Sequence, residues 1–186
     1  MPKQFYQFGL DTFREQLFEN YVTPAAHWFL GEKSHAYLLP QISGSNWECA
    51  LALEGLIEIL ANPDMSIADR TAEIEAKCIQ TVRWLIGQIS EPSDSMSNWD
   101  GVTWDTAICI RAILKAEKQF ADVWSVSDKK KIAVTRQTST RWLIYSCKHW
   151  DIDIRYPAGP PDLAQILHTL SILNAYHPEI DRKSVV

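Results

Sequence analysis

The sequence predicts an all-α fold of about three stacked helical hairpins, and two interleaved repeats predict it. One is Trp47-Glu48-Cys49-Ala50-Leu51, Trp104-Asp105-Thr106-Ala107-Ile108 and Pro161-Asp162-Leu163-Ala164-Gln165, each copy 57 residues after the last. The other falls between them: Trp28-Phe29-Leu30, Arg83-Trp84-Leu85-Ile86 and Arg141-Trp142-Leu143-Ile144, spaced 56 and 58. An internal period marks a unit that cannot bury its apolar face alone and must stack on its neighbours. Two marks per period mean two elements per unit, hence hairpins.

Helices are expected in order. Those over 9–21 and 24–31 come first, the second opened by Thr23 as cap and Pro24 as first helical residue. From 47 to 61 the residues Leu51, Leu53, Leu56, Ile59 and Leu60 hold a wide helical face, which Asn62-Pro63-Asp64 ends. Ser66-Ile67-Ala68-Asp69 is an acidic capping pattern for a helix over 66–90. Ile108, Ile110, Ile113 and Leu114 place another over 104–121, and Ser127 before Asp128 starts a run over 128–147. The last spans 162–176, stopped by Pro178. No strand is expected.

A chain of 186 residues, 46% hydrophobic and 11% aromatic with eight Trp, can pack one domain core. Its net charge of -5 argues against a nucleic-acid partner, which needs a concentrated basic footprint. Lys129-Lys130-Lys131 reads as a solvated face. No apolar run reaches the ~18 residues of a membrane span, and Met1-Pro2-Lys3-Gln4 leads into no apolar signal core. Cys49, Cys78, Cys109 and Cys147 form no C-x-x-C pair, so buried free thiols in a reducing, cytoplasmic setting are expected. His27, His35, His149, His168 and His177 show no ligand spacing, so neither metal nor cofactor is expected.

The stretch Arg83-Trp84-Leu85-Ile86-Gly87-Gln88, followed by Asn98-Trp99-Asp100-Gly101-Val102-Thr103-Trp104-Asp105-Thr106-Ala107, resembles the repeat of terpenoid cyclases and protein prenyltransferases. There an outer helix ends in an aromatic-Leu pair and a Gln, and an Asp-Gly loop leads to a Trp that opens an inner helix. Trp28-Phe29-Leu30 with Gln41, Gly44 and Trp47 is a degraded copy; Trp142-Leu143-Ile144 with Gly159-Pro160-Pro161 is a weaker one. The resemblance spans most of the chain and is specific in its central repeat. It implies an α/α toroid whose inner helices line a cavity and whose outer helices wrap them. About three hairpins are fewer than such a ring uses to close, so an open arc is expected. Its apolar flank would be covered by a second copy, another protein or the rest of a longer chain.

The family's chemistry is not reproduced in the residues. Class II cyclases carry Asp-x-Asp-Asp running into Thr-Ala, the middle Asp protonating the substrate. Aligned on Asp105-Thr106-Ala107, Trp104 takes that Asp's place and Val102 the first. Ser45-Asn46-Trp47-Glu48 and Pro160-Pro161-Asp162 do not supply it either. Asp151-Ile152-Asp153-Ile154, beside Arg155, is the nearest imitation: a solvated loop, a cation site or an acid pair. A magnesium-binding Asp-rich helix is absent, and the zinc triad would have Asp105 and Cys109 on one face but no identifiable His. Glu48, Asp105 and Asp162, the carboxylates that a glycosidase reading would need, stand in first turns, where the helix dipole already accounts for them. Trp47 and Trp104 are expected to pack on the preceding loops and donate their indole N–H there.

One constellation comes from the period itself. Glu54, Arg111 and His168 stand 57 apart, each seven residues after Trp47, Trp104 and Pro161. Equivalent places on adjacent inner helices bring them together, either as an inter-helix ion pair with a His neighbour or as a pocket. In the pocket Arg111 would hold an anionic group between the walls of Trp47 and Trp104. The expected function is a non-catalytic binding or interaction module, sensor or regulatory, taking a partner segment or a small anionic or isoprenoid ligand. The alternative is a class II terpene cyclase-like enzyme on isoprenoid substrates, with Asp151 and Asp153 as its acids and aromatic residues stabilising carbocations.

Overall fold

A computed structural model describes residues 45–61, 71–93, 95–149 and 160–176. They form five helices, α1 (Asn46–Ala61), α2 (Thr71–Gly87), α3 (Thr103–Gln119), α4 (Val126–His149) and α5 (Pro160–Tyr176), with a hairpin of β1 (Ser90–Ser93) and β2 (Met96–Asn98) between α2 and α3. The helices expected over 9–21 and 24–31 lie outside the described residues.

The hairpin corrects the expectation of no strand. Ser90 pairs with Asn98 and Ser93 with Met96, antiparallel and with an irregular register. Strands this short and polar carry no period-two alternation, so the sequence signal for them is missing. The helix expected to 90 stops short: α2 ends at Gly87, where Gln88 N–H turns back to Leu85 O at 3.1 Å. Hydroxyls seat the hairpin: Ser97 Oγ lies 2.6 Å from Thr138 Oγ1 and 3.0 Å from Ser139 Oγ on α4.

The start of α4 is also shifted, to a capping box based on Ser125. Asp128 N–H donates to Ser125 Oγ at 3.1 Å, and Ser125 N–H donates back to Asp128 Oδ2 at 3.3 Å. Asp128 further accepts a forked pair from Arg83 of α2, Nε to Oδ1 at 3.2 Å and Nη2 to Oδ2 at 2.8 Å. Arg83, then the Ser125 hydroxyl, hold the Asp128 carboxyl down from 3.8 to about 2.

α1, α3 and α5, the helices opened by the first repeat, pack side by side with α3 in the middle. α2 and α4 form a second layer, α2 on α1 and α3, α4 on α3 and β2. α3 is therefore covered on every side and is buried from Thr106 through Leu114. Leu53, Leu56, Ile108, Ile110 and Ile113 are among its largest fully buried side chains and those facing it. Each contributes about 1.5–3 kcal/mol relative to exposure. Cys49, Cys78 and Cys109 are free and buried, as expected; the side chain of Cys147 lies outside the described residues. Burial pushes the Cys49 thiol up to about 11, that of Cys78 to about 12 and that of Cys109 well above its ordinary value.

Candidate functional site

The entry to α3 is set by a tight turn. Val102 N–H donates to Trp99 O at 3.0 Å, and the two residues between, Asp100 and Gly101, have φ of 57° and 68°. Two successive positive φ values are what Asp-Gly supplies most readily. Side chains brace the turn: Asn98 Oδ1 accepts from Gly101 N–H at 2.9 Å, and Asn46 Nδ2 of α1 donates to Asp100 Oδ2 at 2.7 Å. Trp99 is fully buried and donates its indole N–H to Leu85 O of α2 at 2.8 Å, satisfying a carbonyl in that helix's last turn. The indole donation expected of Trp104 is thus made by Trp99, five residues earlier. Trp104 packs half-buried against the core. Trp99 directly precedes Asp-Gly in the sequence, the signal that could have marked it.

Beyond that turn the 57-residue columns converge. Arg111 Nε donates to Glu54 Oε1 at 2.6 Å and Nη2 to Glu54 Oε2 at 2.9 Å, a forked pair between α3 and α1. Arg111 Nη1 donates to Gln165 Oε1 and lies 3.4 Å from His168 Nδ1, both on α5. Glu54 and Arg111 are buried, Gln165 is half-buried and His168 is exposed. One turn further the period repeats: Lys115 Nζ donates to Glu58 Oε1 at 2.8 Å and lies 3.9 Å from Glu54 Oε1. Sequence reasoning brought Glu54, Arg111 and His168 to one place but missed Gln165, which occupies the column of Leu51 and Ile108. Its place one turn before His168 was the available signal.

This arrangement favours order over anion capture. The guanidinium meets Glu54 through two nitrogens and α5 through the third, so a small anion would have to displace Glu54. Burying the pair costs desolvation that the forked geometry and the Gln165 bond offset. Trp47 stands exposed in the first turn of α1, seven residues before Glu54, and Trp104 lies in the equivalent place on α3. Glu48 and Asp105 are half-buried in first turns. Asp151 and Asp153 lie outside the described residues, as does the side chain of Asp162.

Among the described residues no three His, Cys, Asp or Glu side chains are grouped to hold a metal ion. Cys109, one turn after Asp105, is fully buried. No helix among the described residues is long and apolar enough to cross a membrane. No family model matches the sequence, and no curated protein and no solved structure matches it. The likeness to terpenoid cyclases and prenyltransferases rests on the repeat residues alone.

Proposed function

We propose that this chain is a non-catalytic helical-repeat interaction module, an open α/α arc that receives a partner segment on the inner face of α1, α3 and α5. The observation that carries this reading is one stripe shared by three adjacent helices. It runs from exposed Trp47 and half-buried Trp104 to the Glu54–Arg111–Gln165–His168 quartet. An aromatic side chain about two helical turns along from an ordered polar cluster suits an extended segment with an apolar anchor and a hydrogen-bonding group for His168. Trp104 in the place of the cyclase acid, and the neutralised Arg111, weigh against chemistry and against a small anionic ligand.

Selection from a random linear peptide library on the immobilised full chain tests this. Enriched peptides are expected to lose about tenfold or more in affinity on Trp47→Ala, with a smaller loss on His168→Ala. Both residues are exposed, so the variants keep the fold. Failure to enrich any peptide, or peptides that bind Trp47→Ala and His168→Ala as tightly as the parent, would overturn the reading.

A further inference from the structure

α1, α3 and α5 carry one template, and α3 shows what each flank of that template packs on. Its trailing flank, Ala107, Ile110 and Leu114, faces α5, for Thr169 Oγ1 of α5 donates to Ala107 O at 2.9 Å. Its leading flank includes Ile108 and Ala112. Both flanks are buried on α3. Among the described residues α1 and α5 end the row, and each shows one of them uncovered. On the trailing side Leu53 and Ile110 are 0% exposed while their equivalent on α5, Leu167, is 66% exposed. Ala164 and Ser171, equivalent to Ala107 and Leu114, are exposed with it. On the leading side Ile108 is 1% exposed while its equivalent on α1, Leu51, is 39% exposed. Gly55 next to it is exposed as well, whereas Ala112 and Thr169 in the same column are fully buried.

We infer that a second copy of this chain stacks head to tail, its α1 leading flank seated on the α5 trailing flank of the first. The two flanks are the halves of the junction already made twice within the chain, between α1 and α3 and between α3 and α5. Their shapes agree: a Cβ at Gly55 would meet nothing within 4 Å, which leaves a notch for the protruding Leu167. Their charges agree too. The column runs Glu54, Arg111, His168, and one further step sets His168 against Glu54 and the exposed Glu58 of the next copy. Stacking units that bury a face only against a neighbour is the general logic of repeat proteins, and a contact between unlike flanks either closes a ring or runs on as a filament. The inference shares His168 with the inner-face reading, but its test is separate, since Gly55 and Leu167 take no part in the Trp47 stripe.

Sedimentation velocity of the full chain over a concentration series is the test. The parent is expected to associate, and Leu167→Asp and Gly55→Arg are each expected to weaken association about tenfold or more, both keeping the parent's helical circular dichroism. Gly55→Arg adds a better helix former into open space, so lost association cannot be laid to lost folding. Mixing the two variants decides the geometry. One retains a sound trailing flank and the other a sound leading flank, so a one-to-one heterodimer that grows no further is expected. A parent monomeric up to about 100 μM, a Gly55→Arg protein that associates like the parent, or a mixture without heterodimer would overturn the inference.

Discussion

Two of the arginine pairs that join helices among the described residues are forks through Nε and Nη2, and they differ in where they stand. Arg111 to Glu54 ties α1 to α3 in the interior, with side chains 6% and 12% exposed. Arg83 to Asp128 ties α2 to α4 in the outer layer, with the arginine side chain 57% exposed. The geometry is alike, and the consequences of losing a partner are not. A buried carboxylate stripped of its cation stays desolvated, whereas an exposed one returns to water. The inner fork therefore fixes how the row helices sit against one another; the outer one adds little beyond its capping role.

The strongest way to break this comparison is Arg111→Ala, which leaves Glu54 buried without its fork. Urea unfolding is expected to show a loss of about 3–5 kcal/mol. The double variant Glu54→Leu with Arg111→Met sharpens it, recovering most of that loss because two apolar groups replace both charges. If the double variant is as unstable as Arg111→Ala, the pair does more than neutralise itself. Next in size is Trp99→Phe, which keeps a buried ring and removes the indole donor, while Leu85 O keeps the Gln88 N–H at 3.1 Å; calorimetry should register about 0.5–1.5 kcal/mol.

The smallest effect is expected for Arg83→Ala, about 0–1 kcal/mol, shrinking further in 1 M salt. Its signature is in the pH dependence. Because the folded Asp128 carboxyl lies below its ordinary value, the stabilisation is fully present above 3.8 and is lost as pH falls toward about 2. Melting temperature followed across that window should fall less steeply for Arg83→Ala than for the parent. Equal slopes would remove Arg83 as the main cause of the depressed carboxyl.

Much of this was legible in the sequence because a period is a long-range signal. The column 54–111–168 named residues that meet across three helices, and the two marks per period named paired helices; the expectation of an inner and an outer layer came from the family resemblance. What escaped depended on local geometry. Ser127 looked like the cap of α4, but Ser125 makes the reciprocal bonds with Asp128, a choice fixed by backbone direction. The β1–β2 hairpin is held by the Ser97 contacts to α4, which no local pattern announces. Gln165 went unnoticed where the other copies carry Leu51 and Ile108, and its amide completes the shell of Arg111. Trp99 and Trp104 differ only in register against the Asp-Gly turn, and that register decides which indole is buried.

The turn itself bears on how the protein ages. In an Asp-Gly step the backbone nitrogen of the glycine can attack the aspartate carboxyl, closing a succinimide that reopens mostly to isoaspartate and inserts an extra carbon into the main chain. Here the N–H of Gly101 is engaged by Asn98 at 2.9 Å and the Asp100 carboxylate by Asn46 at 2.7 Å. Nucleophile and electrophile are thereby held in separate hydrogen bonds. The folded chain guards its own most fragile peptide link, and chemical damage at Asp100 becomes a clock for the time each molecule has spent unfolded.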